Sequence, residues 1–313
     1  MSAAESILKT IESQLETNLI KSGLMFHIFS RVKSIDSIEK KMAKKADSYR
    51  NNGKKMQDFL ALRITLYFND DVEIVHQYFK NQSNYVDESV DAAEVDRFHP
   101  KRLNIILRIP DNKKEDMKVA LAQTSYKDLI DDTYEVQIRT ILSEGWHEVE
   151  HDLRYKCQEE WIDYDEESRL LNGIYATLES AEWSMSALFD RLSYSYYKNG
   201  NWNSMMRNKM RLRFRDKSFS EDLIKFLNTN KEIAKSIFRA NRDKVMRLML
   251  EKRFSFPLTY DTIAHVINYI EVGNRELLQL ADNVLIEEMQ SLFGSPKENK
   301  WHKNKRKELS SSL

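Results

Sequence analysis

One cysteine, four prolines and seven glycines are all that 313 residues hold of the types that staple, kink or loosen a chain. With Cys157 alone no intrachain disulfide can form, and an intracellular, cytoplasmic life is expected. So little proline and glycine favours long helices. No apolar run approaches the roughly 20 residues that cross a bilayer. The opening stretch MSAAESILKTIESQLE is acidic and polar, unlike a secretory signal. Excess charge is missing too. Lys and Arg number 49 against 49 Asp and Glu, so no global field recruits nucleic acid or membrane, and only local patches can. What is present is 41% hydrophobic and 31% charged, enough for a real core beneath a soluble surface. The length allows one large domain or two ordinary ones.

Ile7, Ile11, Leu15 and Leu19 recur every four residues and predict an amphipathic helix from Ser6 to about Ser30, with a second helix over 34–46. YRNNGKKMQ (49–57) reads as a loop. Strands are expected over 58–68, 101–110 and 134–140, with helices over 71–82, 141–158 and 167–197. YKNGNWNS (197–204) is the best interior break. Beyond it the pattern is helical, near 203–213, 220–228, 230–251, 258–271 and 274–293. The expected organisation is an α+β domain over 1–197, a helical domain over 205–296 and a basic, frayed tail over 297–313.

Three stretches carry chemistry. In RVKSIDSIEKKM, Lys33, Ser37 and Lys41 are spaced i, i+4, i+8, so one helix face would present them, with Arg31 just before. Two ammonium groups, a hydroxyl and a guanidinium make a triphosphate clamp. A solvated helix face has the same spacing. Asp58 opens a strand after a basic loop, and Glu135 lies on another strand. Carboxylates at neighbouring strand ends can hold Mg²⁺ and take a proton from an attacking hydroxyl, as phosphoryl-type transfer requires. Equally, they can be two exposed strand termini. His147-Glu148-Val149-Glu150-His151 fits the H-E-x-x-H zinc pattern, with Glu179 or Glu182 available as a third ligand. A packing stripe of Trp146, Val149 and Leu153, flanked by two histidines, explains the same letters.

Taken together, these stretches resemble the synthetase domain of the RelA/SpoT-type alarmone synthetases, including the small single-domain synthetases and their toxin relatives. RVKSIDSIEKKM resembles the family's ATP-binding helix, with Arg31, Lys33, Ser37 and Lys41 in pattern. DFLALRI resembles the segment of the metal-binding aspartate, here Asp58, with Arg63 in its place. EVQIRTILSEGWHEVEHDLRYK is the most recognisable: Glu135 stands for the catalytic glutamate, Gln137 and Arg139 follow, and His151, Tyr155 and Lys156 close it. The likeness covers roughly residues 5–195. It implies a nucleotidyltransferase-like mixed sheet flanked by helices. It also implies an ATP- and Mg²⁺-dependent pyrophosphokinase that moves the β,γ-pyrophosphate to a ribose 3′-hydroxyl of GTP or GDP. The zinc pattern then becomes an accident of spacing.

One motif departs from the family. Its guanine-stacking loop, Lys-x-Asn-Gly-Tyr followed by Ser and His, falls here on Asp96-Arg97-Phe98-His99-Pro100, with Asn104 at the later histidine. Proline has no π-face to stack a purine. Phe98 or His99 would have to serve instead. The acceptor is therefore open between a guanosine nucleotide, an adenosine nucleotide and a tRNA 3′ end, and a nucleotide- or RNA-binding module without catalysis is the rival. RNKMRLRFRDK (207–217), with Phe214 interleaved and Trp202 nearby, has the composition of an RNA footprint or of a salt-bridged helix face. A regulatory or antitoxin partner is a further expectation for the C-terminal domain.

Overall fold

The computed structural model describes residues 2–44, 55–90, 103–122 and 126–296. Most of the expected loop over 49–57 and all of the tail over 297–313 lie outside the described residues. The chain divides into two compact units, one of residues up to 17 and 26–184, the other of 18–25 and from 185 onward.

Helix α1 (Ala3–Ser22) buries Ile7, Ile11, Leu15 and Leu19, the residues that recur every four. It does not run on to Ser30. Gly23 adopts φ +76°, the left-handed conformation that closes a helix, and a Cβ there would lie 2.2 Å from the Leu258 side chain. The chain then becomes a strand. β1 (Phe26–Val32) pairs antiparallel with β2 (Leu60–Leu66), Phe26 opposite Leu66 and Val32 opposite Leu60. This corrects the helical expectation and changes the setting of the basic run. Arg31 is a strand residue, and Lys33 follows the strand ahead of α2 (Ile35–Lys44), so no single helix face carries Lys33, Ser37 and Lys41.

After β2 the chain forms α3 (Asn69–Lys80), β3 (Tyr85–Val90), β4 (Leu103–Arg108), α4 (Lys114–Ala122) and β5 (Thr133–Thr140). The five strands stand in the order β1-β2-β5-β4-β3. β2 and β5 are parallel and the other pairs antiparallel, which makes the sheet mixed as expected. Periodicity missed β3 as well as β1: YVDESV carries two acids and sits at the sheet edge, mostly exposed. One face of the sheet is apolar and buried, with Leu60, Leu62, Ile64, Leu66, Val136, Ile138, Ile105 and Leu107. That alternation fixes the register, because a slip of one residue would turn the whole set over. Beyond β5 come α5 (Ile141–Glu150), a wider π-helical turn over His151–Tyr155, and α6 (Asp165–Lys198).

The second unit continues with α7 (Trp202–Met210), α8 (Glu221–Thr229), α9 (Lys231–Arg239), α10 (Arg242–Glu251), α11 (Tyr260–Ile267), α12 (Arg275–Gln279) and α13 (Asn283–Phe293). The expected helix over 230–251 is two helices. Asn241 takes an extended conformation and its side chain caps α10 by accepting from Lys244 N–H. Asp282 likewise caps α13 and breaks the helix expected over 274–293. Side-chain acceptors at such positions satisfy the orphan N–H groups of a helix start, which is why Asn and Asp favour ends over interiors. Among the described residues no helix is long and apolar enough to cross a membrane.

His265 lies buried on α11, with Nδ1 unpartnered among the described residues. Burial holds its pKa below 6.5, against a weaker opposing pull from Asp261. An unfolded histidine takes its proton near 6.5 while the folded one resists it, so stability is full above that pH and falls as acid is added. The thermal midpoint of the wild type should therefore drop further between about pH 7.5 and about pH 5.5 than that of His265→Leu. Equal drops in a calorimetric comparison would refute this.

Candidate active site

The polar face of the sheet is written by the register. Arg31 stands opposite Ala61, which stands opposite Glu135. One pleat along, Phe29, Arg63, Gln137 and Asn104 form the next row. Thr65 and Arg139 pair in the row beyond. Alternation sends these side chains to the face opposite the apolar set.

At the start of β2 the backbone N–H of Lys33 donates to Phe59 O at 2.9 Å, which brings the Lys33 side chain beside Asp58. Lys33 Nζ donates to Asp58 Oδ2, and Lys41 Nζ, from α2, reaches Asp58 Oδ1 at 2.8 Å. Burial works to raise the Asp58 pKa, but the two ammonium groups outweigh it and hold the carboxyl below its ordinary value. For Lys33 burial wins: its pKa is lowered, with Asp58 opposing and the charges of Lys41 and Arg31 adding to the effect. Ser37 stays outside this cluster, exposed on the first turn of α2 and 2.9 Å from the Ser34 hydroxyl.

Further along the face runs a second charged network. Arg63 Nη1 donates to Glu144 and Glu148 of α5, and its Nε donates to Gln137 Oε1 at 3.2 Å. Gln137 Nε2 donates to Glu135 Oε1 at 2.7 Å. Arg139 is buried and donates to the other Glu144 oxygen at 3.0 Å. Burial lowers the Arg139 pKa, and Glu144 is the chief group opposing it. Beside this second network opens a cavity of about 420 Å³, lined by Phe29, Ser30, Arg31, Ala61, Leu62, Arg63, Gln137, Glu144 and Glu148. Arg31 and Phe29 are exposed on its wall.

Sequence reasoning missed Phe29, Glu144 and Glu148. The i, i+4 spacing of the two glutamates just after Arg139 was the available signal, and Glu148 drew notice only as a zinc-protease base. Of the acceptor-side candidates, Asn104 lies on the polar face beside Gln137, its Oδ1 buried without a partner among the described residues. Phe98 and His99 lie outside the described residues, as do Asp96 and Pro100. His151 and Tyr155 stack at 5.5 Å, with His147 a further 6.0 Å from His151. Lys156 binds Asp152 at 2.6 Å. Glu182, nominated as a third zinc ligand, instead accepts from the Thr140 hydroxyl. Among the described residues no three His, Cys, Asp or Glu side chains converge on a metal position.

That observation also bears on Mg²⁺. Magnesium keeps several waters and takes one or two carboxylates together with substrate phosphates, rather than an all-protein cage. Asp58 and Glu135 offer hard oxygen donors of that kind. The donor set therefore fits a cation that arrives with a phosphate.

In the basic stretch of the second unit Arg211 is buried and Lys209 half-buried, while Arg207, Arg213, Arg215 and Lys217 are exposed. Arg207 Nε donates to Tyr260 Oη at 2.8 Å, Lys209 lies 5.7 Å from the Phe238 ring centroid, and buried Arg211 pairs with Asp190 at 3.1 Å. Trp202 is buried, and Phe214 packs edge-on against Tyr260 at 4.4 Å, so neither aromatic offers the exposed stacking face expected of an RNA footprint.

The polar face of the mixed sheet thus carries a lysine-aspartate cluster and an arginine-glutamate network. Residues 30–160 match the region found in RelA / SpoT proteins. The match includes all three motif segments. Among solved structures, the small alarmone synthetase 1 from Bacillus subtilis is 22% identical, with 59% of this chain and 92% of that one covered at a TM-score of 0.43. The same protein bound to its product pppGpp gives 22%, 59%, 92% and 0.44. A GTP pyrophosphokinase family protein from Streptococcus pneumoniae is 18% identical, with 58% and 88% covered at 0.44. No curated protein matches the chain.

The Lys33 environment can be tested directly. Asp58 is what keeps the proton on this half-buried lysine against burial, so Asp58→Asn should lower the Lys33 pKa further. Competitive acylation at about pH 9, below the ordinary lysine value, should label Lys33 faster in the variant than in the wild type, relative to surface lysines. A slower or unchanged rate would mean that Asp58 does not set the lysine's charge.

Proposed function

We propose that this chain is an ATP-dependent pyrophosphokinase of the RelA/SpoT type, which transfers the β,γ-pyrophosphate of ATP to the ribose 3′-hydroxyl of a nucleotide. The observation that carries the reading is the Lys33–Asp58–Lys41 cluster at the strand end beside Glu135, inside the matched region.

In this reading Arg31, Lys33 and Lys41 grip the triphosphate, and Ser37 adds a hydroxyl from the first turn of α2. With phosphate oxygens taking over the two ammonium groups, the Asp58 carboxylate would be free for a cation. Asp58 and Glu135 would hold Mg²⁺, which would supply charge neutralisation for the phosphates. The acceptor oxygen attacks the β-phosphorus, the bond from that phosphorus to the α-phosphate oxygen breaks, and AMP leaves. Glu135 takes the hydroxyl proton, its carboxylate oriented by Gln137. Arg63 and Arg139 brace this face through Glu144. GTP or GDP is the first acceptor to consider from the family resemblance. Pro100 at the family's tyrosine position makes ATP and the tRNA 3′ end necessary arms of the same test.

Transfer of label from γ-³²P-ATP, with GTP, GDP, ATP and bulk tRNA offered in parallel, should mark one acceptor. Glu135→Gln should lower the rate by about a hundredfold or more, the usual worth of a positioned base. Lys33→Ala should raise the KM for ATP. Failure to label any acceptor, while ATP still binds, would replace the enzyme with a nucleotide-binding module.

A further inference from the structure

We infer that Glu182, on α6, is a positioning residue for the active face, fixing through Thr140 the start of α5 and thereby the glutamates that hold Arg63 and Arg139. The inference rests on the proposed reaction only for its kinetic readout.

Thr140 ends β5 and caps α5, its hydroxyl oxygen accepting from Ser143 N–H at 3.2 Å. A hydroxyl has one proton to give, and Thr140 gives it to Glu182 Oε1. That bond turns the oxygen lone pairs toward the helix. Glu182 also receives the Ser143 N–H, so one buried carboxyl and one hydroxyl together grip the first turn of α5. Glu144 follows immediately and bonds both Arg63 and Arg139. Arg63 continues to Gln137, and Gln137 to Glu135. The line from Glu182 to Glu135 is continuous in hydrogen bonds, apart from the backbone of the α5 turn.

A structural cap does not need this arrangement. Threonine caps a helix unaided, whereas a buried carboxyl is costly without a cation. Glu182 is 9% exposed, and among the described residues no cation pairs with it; the charged group near it is Glu179, which further disfavours its ionised form. A carboxyl held at such a cost is better explained by what it aligns than by what it stabilises. Lys33 and Lys41 meet Asp58 at the opposite end of β2, a strand of seven residues, so the phosphate grip should not depend on Glu182.

Three proteins decide the matter: wild type, Glu182→Leu and Glu182→Gln. Glu182→Leu should lower kcat by about tenfold or more, the scale of a small misplacement in an active site, with the KM for ATP within about twofold of wild type. Its thermal midpoint should not fall. Glu182→Gln, whose amide oxygen still accepts from Thr140, should recover most of kcat. A Glu182→Leu protein with wild-type kcat would overturn the inference, as would a loss of kcat that merely follows a lowered thermal midpoint. If even the wild type labels no acceptor, the proposed reaction fails, and hydrogen exchange then decides about Glu182. The Ser143 and Glu144 amides should exchange faster in Glu182→Leu than in wild type, with Glu182→Gln protected. Unchanged protection would overturn the inference independently of any turnover.

Discussion

The parallel pairing of β2 with β5 is the constraint on which the rest of this site depends. It sets Ala61 beside Glu135, Arg63 beside Gln137 and Thr65 beside Arg139. A parallel pair needs a long crossover, and the chain supplies one that contains α3, β3, β4 and α4. Residues some 74 positions apart in sequence thereby become hydrogen-bonding neighbours. The apolar side chains on the opposite face hold the register, since any slip would bury Arg63 and expose Ile64. Packing on one side of the sheet thus fixes the chemistry on the other.

Several charges on the polar face are partly removed from water and paired with opposite ones. Asp58 lies between two lysines, and Glu144 between two arginines. Such networks add little net stability, because desolvation offsets their attraction, yet removing one partner strands the other at a cost of about 3–5 kcal/mol. The result is a face that resists rearrangement when empty. Under the proposed function, an incoming polyphosphate would meet cations already oriented and replace an internal counter-ion instead of drawing bare charge out of water.

The sequence disclosed the residues of this face better than their setting. Periodicity identified the core of α1, the strands around Arg63 and Glu135, and most helices, because each buries one face of regular spacing. It continued α1 through Gly23, since the apolar pattern runs on while the stop depends on a single positive φ. It overlooked β3, whose half-acidic edge pairs on one side only. The clamp of Lys33, Ser37 and Lys41 was inferred from a helical spacing that the fold does not use. Lys33 and Lys41 nevertheless meet at Asp58, through a strand end and a helix face, while Ser37 remains apart. Their meeting point depends on the β1–β2 pairing and the placement of α2, which spacing alone did not contain. Glu144 and Glu148 went unread because their partner, Arg63, lies on a distant strand, and only the pairing of β2 with β5 brings it near.

Net charge zero also takes on a definite meaning. In the second unit Arg207, Lys209, Arg211 and Arg242 bond to Tyr260, approach Phe238, pair with Asp190 and cap the Met210 carbonyl. Cations used in this way hold helices together and contribute little to a field that acts at a distance. Under the proposed function, Arg31, Lys33 and Lys41 would therefore attract a phosphate by contact, within a Debye length of about 8 Å at physiological salt. Recognition of that kind depends on geometry more than on long-range steering. Under that reading, a site in a neutral chain relies on its strand register and on the counter-ions Asp58 and Glu144, both set by the pairing of β2 with its neighbours.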